Sequence, residues 1–168
     1  MNKIIECVPN FSEGRDFGKI AKIVGEIEKV KGVKLLNVES DADYNRTVVT
    51  FAGKPEAVRD AAFYAIEMAA EVIDMSHHKG AHPRIGATDV CPFVPVSNAT
   101  MDECVQIART LGKEVGGWLG IPIYLYGEAA ILPERHILPD IRKGEYEGLP
   151  EKLKDEKWRP DYGPVEFN

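Results

Sequence analysis

Two stretches of helical periodicity, each bracketed by short β-rich runs, constrain this chain of 168 residues more than any other feature. Between residues 16 and 31 apolar side chains fall at Phe17, Ile20, Ala21, Val24, Ile27 and Val30, the 3.6-residue period of an amphipathic helix, and Gly32 stops it. Residues 55–74 open with Pro55-Glu56, good first-turn residues, and carry Val58, Ala61, Ala62, Ala65, Ala69, Val72 and Ile73 on one broad face. A strand is predicted before the first helix (3–9), and two between the helices (33–38 and 47–51), paired across the acidic loop 39–43. Residues 10–14 read as a loop. Val90–Val96 is extended and irregular, because Pro92 and Pro95 lack an N–H. Thr100-x-x-Glu103 is a capping box for a third helix to about 119, and 121–126 reads as a last strand. Helical turns are expected near 138–143 and 149–156, and the last twelve residues have no period.

The predicted order is β-α-β-β-α-β-α-β, and its first six elements match the split β-α-β module of ferredoxin-like folds. The expected class is α/β of the α+β type: a ferredoxin-like βαββαβ core extended by a further helix and strand, helices layered on one face of a mixed sheet. A chain of this length buries about two-thirds of its unfolded surface, enough for one domain over residues 1–168.

With 44% hydrophobic and 29% charged residues, the composition is that of a globular chain and excludes a disordered one. A net charge of −6 argues against a nucleic-acid footprint or an anionic membrane surface, both of which need the opposite sign. Cysteines at 7, 91 and 104 are odd in number and lack a C-x-x-C, which excludes a disulfide framework and argues against structural zinc. No run of 18 apolar residues and no signal-peptide core occur, so the expected location is the cytoplasm.

Candidate chemistry concentrates in Ser76-His77-His78-Lys79-Gly80-Ala81-His82-Pro83-Arg84-Ile85-Gly86, with three of the four histidines. Three readings compete. Histidine clusters can ligate metal, but adjacent His77-His78 diverge on most backbones and no acidic or cysteine ligand follows at a recognised spacing. An imidazole titrates near neutrality, so it can take and return a proton, while Lys79 and Arg84 would attract carboxylates and favour the neutral ring. The bland reading is a solvated loop. Asn10–Gly14 could be a ligand loop, Asn45-Arg46-Thr47 could set an arginine fork on a carboxylate, and Glu39, Asp41 and Asp43 could be bases or a solvated tip. No nucleotide-binding glycine motif and no G-x-S-x-G elbow is present.

Longer strings single out a family. Glu6–Gly14 (ECVPNFSEG), Asn45–Val48 (NRTV), Ile73–Gly80 (IDMSHHKG), His82–Phe93 (HPRIGATDVCPF), Tyr124–Ala129 (YLYGEA) and Gly144–Glu147 (GEYE) resemble the glutamate formimidoyltransferases, the transferase part of formimidoyltransferase-cyclodeaminase, over residues 4–167. The resemblance implies two similar α/β subdomains with substrates in the groove between them. It implies transfer of a formimidoyl group from N-formimidoyl-L-glutamate to tetrahydrofolate as co-substrate, without a tightly bound cofactor or a metal.

The family's catalytic histidine falls on His82. Arg46, Lys79 and Arg84 are expected as a positive field for substrate carboxylates, and Asn10 and Glu39 as polar contacts. The folate-contacting stretch is expected to begin at Gly163-Pro164 and take in Val165, Glu166, Phe167 and Asn168. The resemblance makes this chain the N-terminal subdomain, without the C-terminal one. A second-subdomain chain is then the expected partner, and a homodimer is another. Rival expectations are a non-catalytic folate-binding or assembly module, and transfer of a formyl instead of a formimidoyl group.

Overall fold

Proline decides where the strands of this sheet break. The computed structural model describes residues 2–167. The expected first strand divides at Val8-Pro9 into β1 (Ile4–Cys7) and β2 (Asn10–Phe11), so the expected loop after Pro9 begins as a strand. The edge beside it divides at Cys91-Pro92 into β5 (Thr88–Val90) and β6 (Phe93–Ser97). The central hairpin is β3 (Val33–Asp41) and β4 (Arg46–Gly53), longer at the tip than expected. Asp41 Oδ1 accepts from the backbone N–H of Asp43 (2.9 Å) and Tyr44 (2.8 Å), so this acidic side chain builds the turn.

The sheet runs β3, β4, then β1 and β2 end to end, then β6 and β5. Among the described residues every pairing is antiparallel, which corrects the expected mixed sheet. The reason lies in the order: β1 and β3 both flank β4, so they run alike without touching. Along β4, Thr47, Val49 and Phe51 are buried, while Arg46, Val48 and Thr50 lie half-buried on the opposite face.

The buried face packs with Ile5, Cys7 and Phe11 against α1 (Phe17–Glu28) and α2 (Pro55–Val72). Asp16 caps α1 by accepting from the N–H of Gly18 and Lys19, a device worth about 1 kcal/mol. The expected capping box forms at α3 (Met101–Glu114), whose last turn widens into a π-turn over Val115–Leu119.

The expected strand 121–126 is reduced to one bridge, Ile123 with Tyr162. Pro122 has no N–H, and the Leu125 N–H goes to the Asp161 carboxylate (2.8 Å). Two short helices follow, α4 (Leu138–Arg142) and α5 (Glu145–Lys152), the second starting four residues before its expected place. Buried Arg135 ties the C-terminal segment down through Asp161 (2.8 Å) and the carbonyls of Lys157 (2.9 Å) and Arg159 (2.6 Å). Between α2, α3, residues 119–129 and α5 lies a largely apolar cavity of about 1050 Å³, whose lining includes Cys91, Tyr126, Tyr146 and Phe167. Among the described residues no helix is long and apolar enough to cross a membrane.

Candidate functional site

Register brings the expected polar residues to one face. Asn10 pairs with Val48, and Glu39 pairs with the same residue from the other side, so Asn10, Glu39 and Arg46 share the sheet face opposite the helices. Arg46 reaches along it and donates from Nε to Asn10 Oδ1 (2.7 Å), with Nη2 on the same oxygen. Asn10 is buried and donates its own amide to the Val8 carbonyl (3.0 Å), which fixes the oxygen toward Arg46. Burial lowers the pKa of the Arg46 guanidinium from its ordinary value.

His82 joins this pair. Its ring lies half-buried against Tyr44 at 5.6 Å between centroids, and Arg46 Nη1 abuts the edge that carries both ring nitrogens. Nδ1 donates to the Pro83 carbonyl (2.7 Å), so Nε2 holds the lone pair. That tautomer makes Nε2 a proton acceptor on the sheet's open face.

The loop carrying His82 is held by a buried polar network. Arg84 Nε donates to His78 Nδ1 (2.9 Å), and Arg84 Nη2 donates to the His78 carbonyl (3.1 Å), stapling the loop closed on either side of His82. His78 Nε2 donates to the Asn45 carbonyl (3.0 Å). The Asn45 side chain accepts from Gly14 N–H (2.8 Å) and donates to the Lys79 carbonyl (3.1 Å). Gly80 is required here: a Cβ would lie 2.1 Å from the Tyr44 carbonyl oxygen. At the loop's end Asp89 accepts from Ile85 N–H (3.0 Å) and pairs with Arg142.

The expected site residues thus separate. Asn10, Arg46 and His82 are in direct contact, and Glu39 stands exposed on the same sheet face. Lys79 is exposed, beside Gly80 and the carboxylates of Glu145 and Glu147. Arg84 is buried, and its Nη atoms are taken by Glu145 (2.8 Å) and Glu147 (2.6 Å), so its charge is balanced within the chain. That pairing pulls the Glu147 carboxyl down to about 2 and raises the guanidinium pKa. His77 is exposed and bound to Asp74 (2.8 Å), away from the Arg46 cluster. Among the described residues no three His, Cys, Asp or Glu side chains are grouped as for a metal ion.

Gly163 turns at φ 84° against the Ile121 carbonyl, while Glu166 and Phe167 line the apolar cavity, with Phe167 on Tyr146 (4.9 Å between centroids). Asn168 lies outside the described residues. Sequence reasoning named Asn45 but missed its bracing role, and missed Tyr44 and the Asp89–Arg142 pair. The available signal was Asn45 after the acidic turn, since asparagine tolerates a positive φ, here 49°.

Comparison with known proteins agrees with the strings that mark these loops. The model of the formiminotransferase domain, N-terminal subdomain, matches residues 4–168. A glutamate formimidoyltransferase of Streptococcus pyogenes is 49% identical over 163 residues, 97% of this chain and 54% of that protein. One of Thermoplasma acidophilum is 53% identical over 163 residues, 96% of this chain and 54% of that protein. A formimidoyltransferase-cyclodeaminase of Gallus gallus is 54% identical over 167 residues, 99% of this chain and 31% of that protein. The chain therefore spans between about a third and about half the length of these relatives. Matched from its first strand to its C-terminal segment, the chain belongs to the family of the formiminotransferase N-terminal subdomain.

Proposed function

We propose that the chain supplies the proton-transfer half of a formimidoyltransferase, moving the formimidoyl group of N-formimidoyl-L-glutamate to N5 of tetrahydrofolate in the cytoplasm. One observation carries the reading: with its Nδ1 N–H given to the Pro83 carbonyl, His82 turns the Nε2 lone pair toward Arg46, which Asn10 in turn holds. The N5 amine attacks the formimidoyl carbon, and Nε2 takes the proton that N5 loses. The tetrahedral adduct then breaks its bond to the glutamate nitrogen, and the same imidazole returns the proton to that nitrogen. Glutamate and 5-formimidoyltetrahydrofolate leave, and the ring is neutral again. One well-placed imidazole contributes about 10²–10⁴-fold to such a step.

Arg46 is the anion-binding group in this scheme. On substrate entry its guanidinium leaves the ring edge for a carboxylate and frees Nε2 for the amine. Asn10 keeps the fork oriented, since both Nε and Nη2 rest on its oxygen. Lys79 adds positive field at the loop's exposed side, and Glu39 faces the same opening. The segment Gly163–Phe167 supplies folate contacts in this scheme. The open sheet face needs a second subdomain to enclose both substrates, because a one-sided surface gives little preorganisation.

The test is turnover by the chain combined with a second-subdomain chain from a relative. Release of glutamate with formation of 5-formimidoyltetrahydrofolate supports the proposal. Folate binding without transfer in any combination would instead assign the chain as a binding module.

A further inference from the structure

We infer that Cys91 and Cys7 form a peroxide-sensitive thiol pair, with Cys91 the site of oxidation and Cys7 the thiol that resolves it into a disulfide. Their sulfur atoms lie 3.5 Å apart across the paired breaks in the sheet. Cys7 closes β1, immediately before Val8-Pro9, and Cys91 lies in the step between β5 and β6. The two kinks face each other, because Val8 N–H bonds to the Pro92 carbonyl (3.3 Å). Regular ladder would resist a cross-link here; two broken strands side by side leave the backbone freedom to bring the sulfurs together.

Access differs between the two. Cys7 is fully buried, whereas Cys91 is partly exposed and lines the cavity of about 1050 Å³, wide enough for a small hydroperoxide. Burial, with the hydrogen bond to Cys91 next, holds the Cys7 thiol well above its usual range, which suits it to the resolving role rather than the first attack. Cys104 is buried on α3 and lines the same cavity but has no thiol partner among the described residues, so it serves as the internal control for cavity access without a resolving thiol.

The steps balance with one hydroperoxide. The Cys91 thiolate attacks the outer oxygen, the O–O bond breaks, and alkoxide or hydroxide leaves and takes a proton. Cys91 is then a sulfenic acid. The Cys7 sulfur attacks the Cys91 sulfur, the S–O bond breaks, and water leaves with the Cys7 proton. The sulfur pair has lost two electrons and two protons, and a dithiol reverses the change.

The experiment reads thiols and so stands apart from the group-transfer proposal. The whole chain is treated with a few equivalents of hydrogen peroxide, unfolded in denaturant with an alkylating agent, and peptide-mapped. The expected map shows Cys7 and Cys91 joined, Cys104 alkylated, and full reversal by dithiothreitol. In Cys7→Ala, Cys91 should accumulate a sulfenic acid that dimedone traps. The inference is overturned if the wild-type map shows Cys91 oxidised with Cys7 still alkylated. It is equally overturned if Cys104 reacts as fast as Cys91, or if all three stay reduced at peroxide doses that oxidise a free-thiol peptide.

Discussion

Asn45 holds a left-handed backbone at φ 49° and spends its amide and its carbonyl on two separate segments: Gly14, and the loop at His78-Lys79. Alanine there would pay for the conformation and leave a buried N–H and a carbonyl without partners. Asn45→Ala should therefore destabilise the chain by about 2–4 kcal/mol in denaturant unfolding, a large effect for one polar side chain. Arg46→Lys keeps the charge but loses the fork on Asn10, so its mark should be a raised KM for the carboxylate-bearing substrates with the fold unchanged. Reading single residues from sequence alone went part of the way. The residue types of the histidine loop suit proton transfer, but only the family resemblance singled out His82 among its three histidines; Arg46 stood out as a fork for a carboxylate and Asn10 as part of a ligand loop. Arg84 stood out for its charge, yet no local pattern announces that two glutamates 61 and 63 residues away take up that charge.

Among the elements, the loop from His78 to Arg84 and the helix α5 act together through the Arg84 staple. Glu147 is held down to about 2 by Arg84, below its ordinary value of 4.5. A carboxylate with a depressed folded pKa stabilises above its unfolded pKa and loses that contribution as pH falls through the folded one. Acid titration should thus loosen α5 between about pH 4.5 and 2, seen as faster amide exchange over 145–152, and Glu147→Gln should flatten that dependence. Gly80→Ala must move the loop away from the Tyr44 carbonyl, so it should cut kcat far more than it changes the melting temperature.

The helices and the central hairpin were legible because their periodicity is strong and their caps are local. The strand expected at 121–126 had the right residues. However, Pro122 and the carboxylate of Asp161, 36 residues on, took its pairing instead. Pro9 was legible as the end of the first strand, but the return of the chain to the sheet at Asn10–Phe11 was not, because it depends on pairing with β4 and β5, distant in sequence.

At the scale of the molecule, a helix-covered sheet leaves its other face bearing Asn10, Glu39 and Arg46, with His82 above it. The C-terminal segment is not an appendage. Arg135 is almost fully buried, and breaking its pair with Asp161 should cost about 3–5 kcal/mol, so Arg135→Met should release residues 156–167 to exchange and proteolysis while the sheet stays protected. The expectation of a covering second lobe came from the family strings, not from pattern or composition, and the chain spans between about a third and about half the length of the relatives it matches.

The central claim is that one imidazole moves the proton between two nitrogens. It is tested most directly by formimidoyl transfer with His82→Ala and the unaltered chain, each with the same second-subdomain partner and equal folded fractions. The account predicts a loss of about 10²–10⁴-fold in kcat with KM little changed. Equal turnover by the two chains would contradict it.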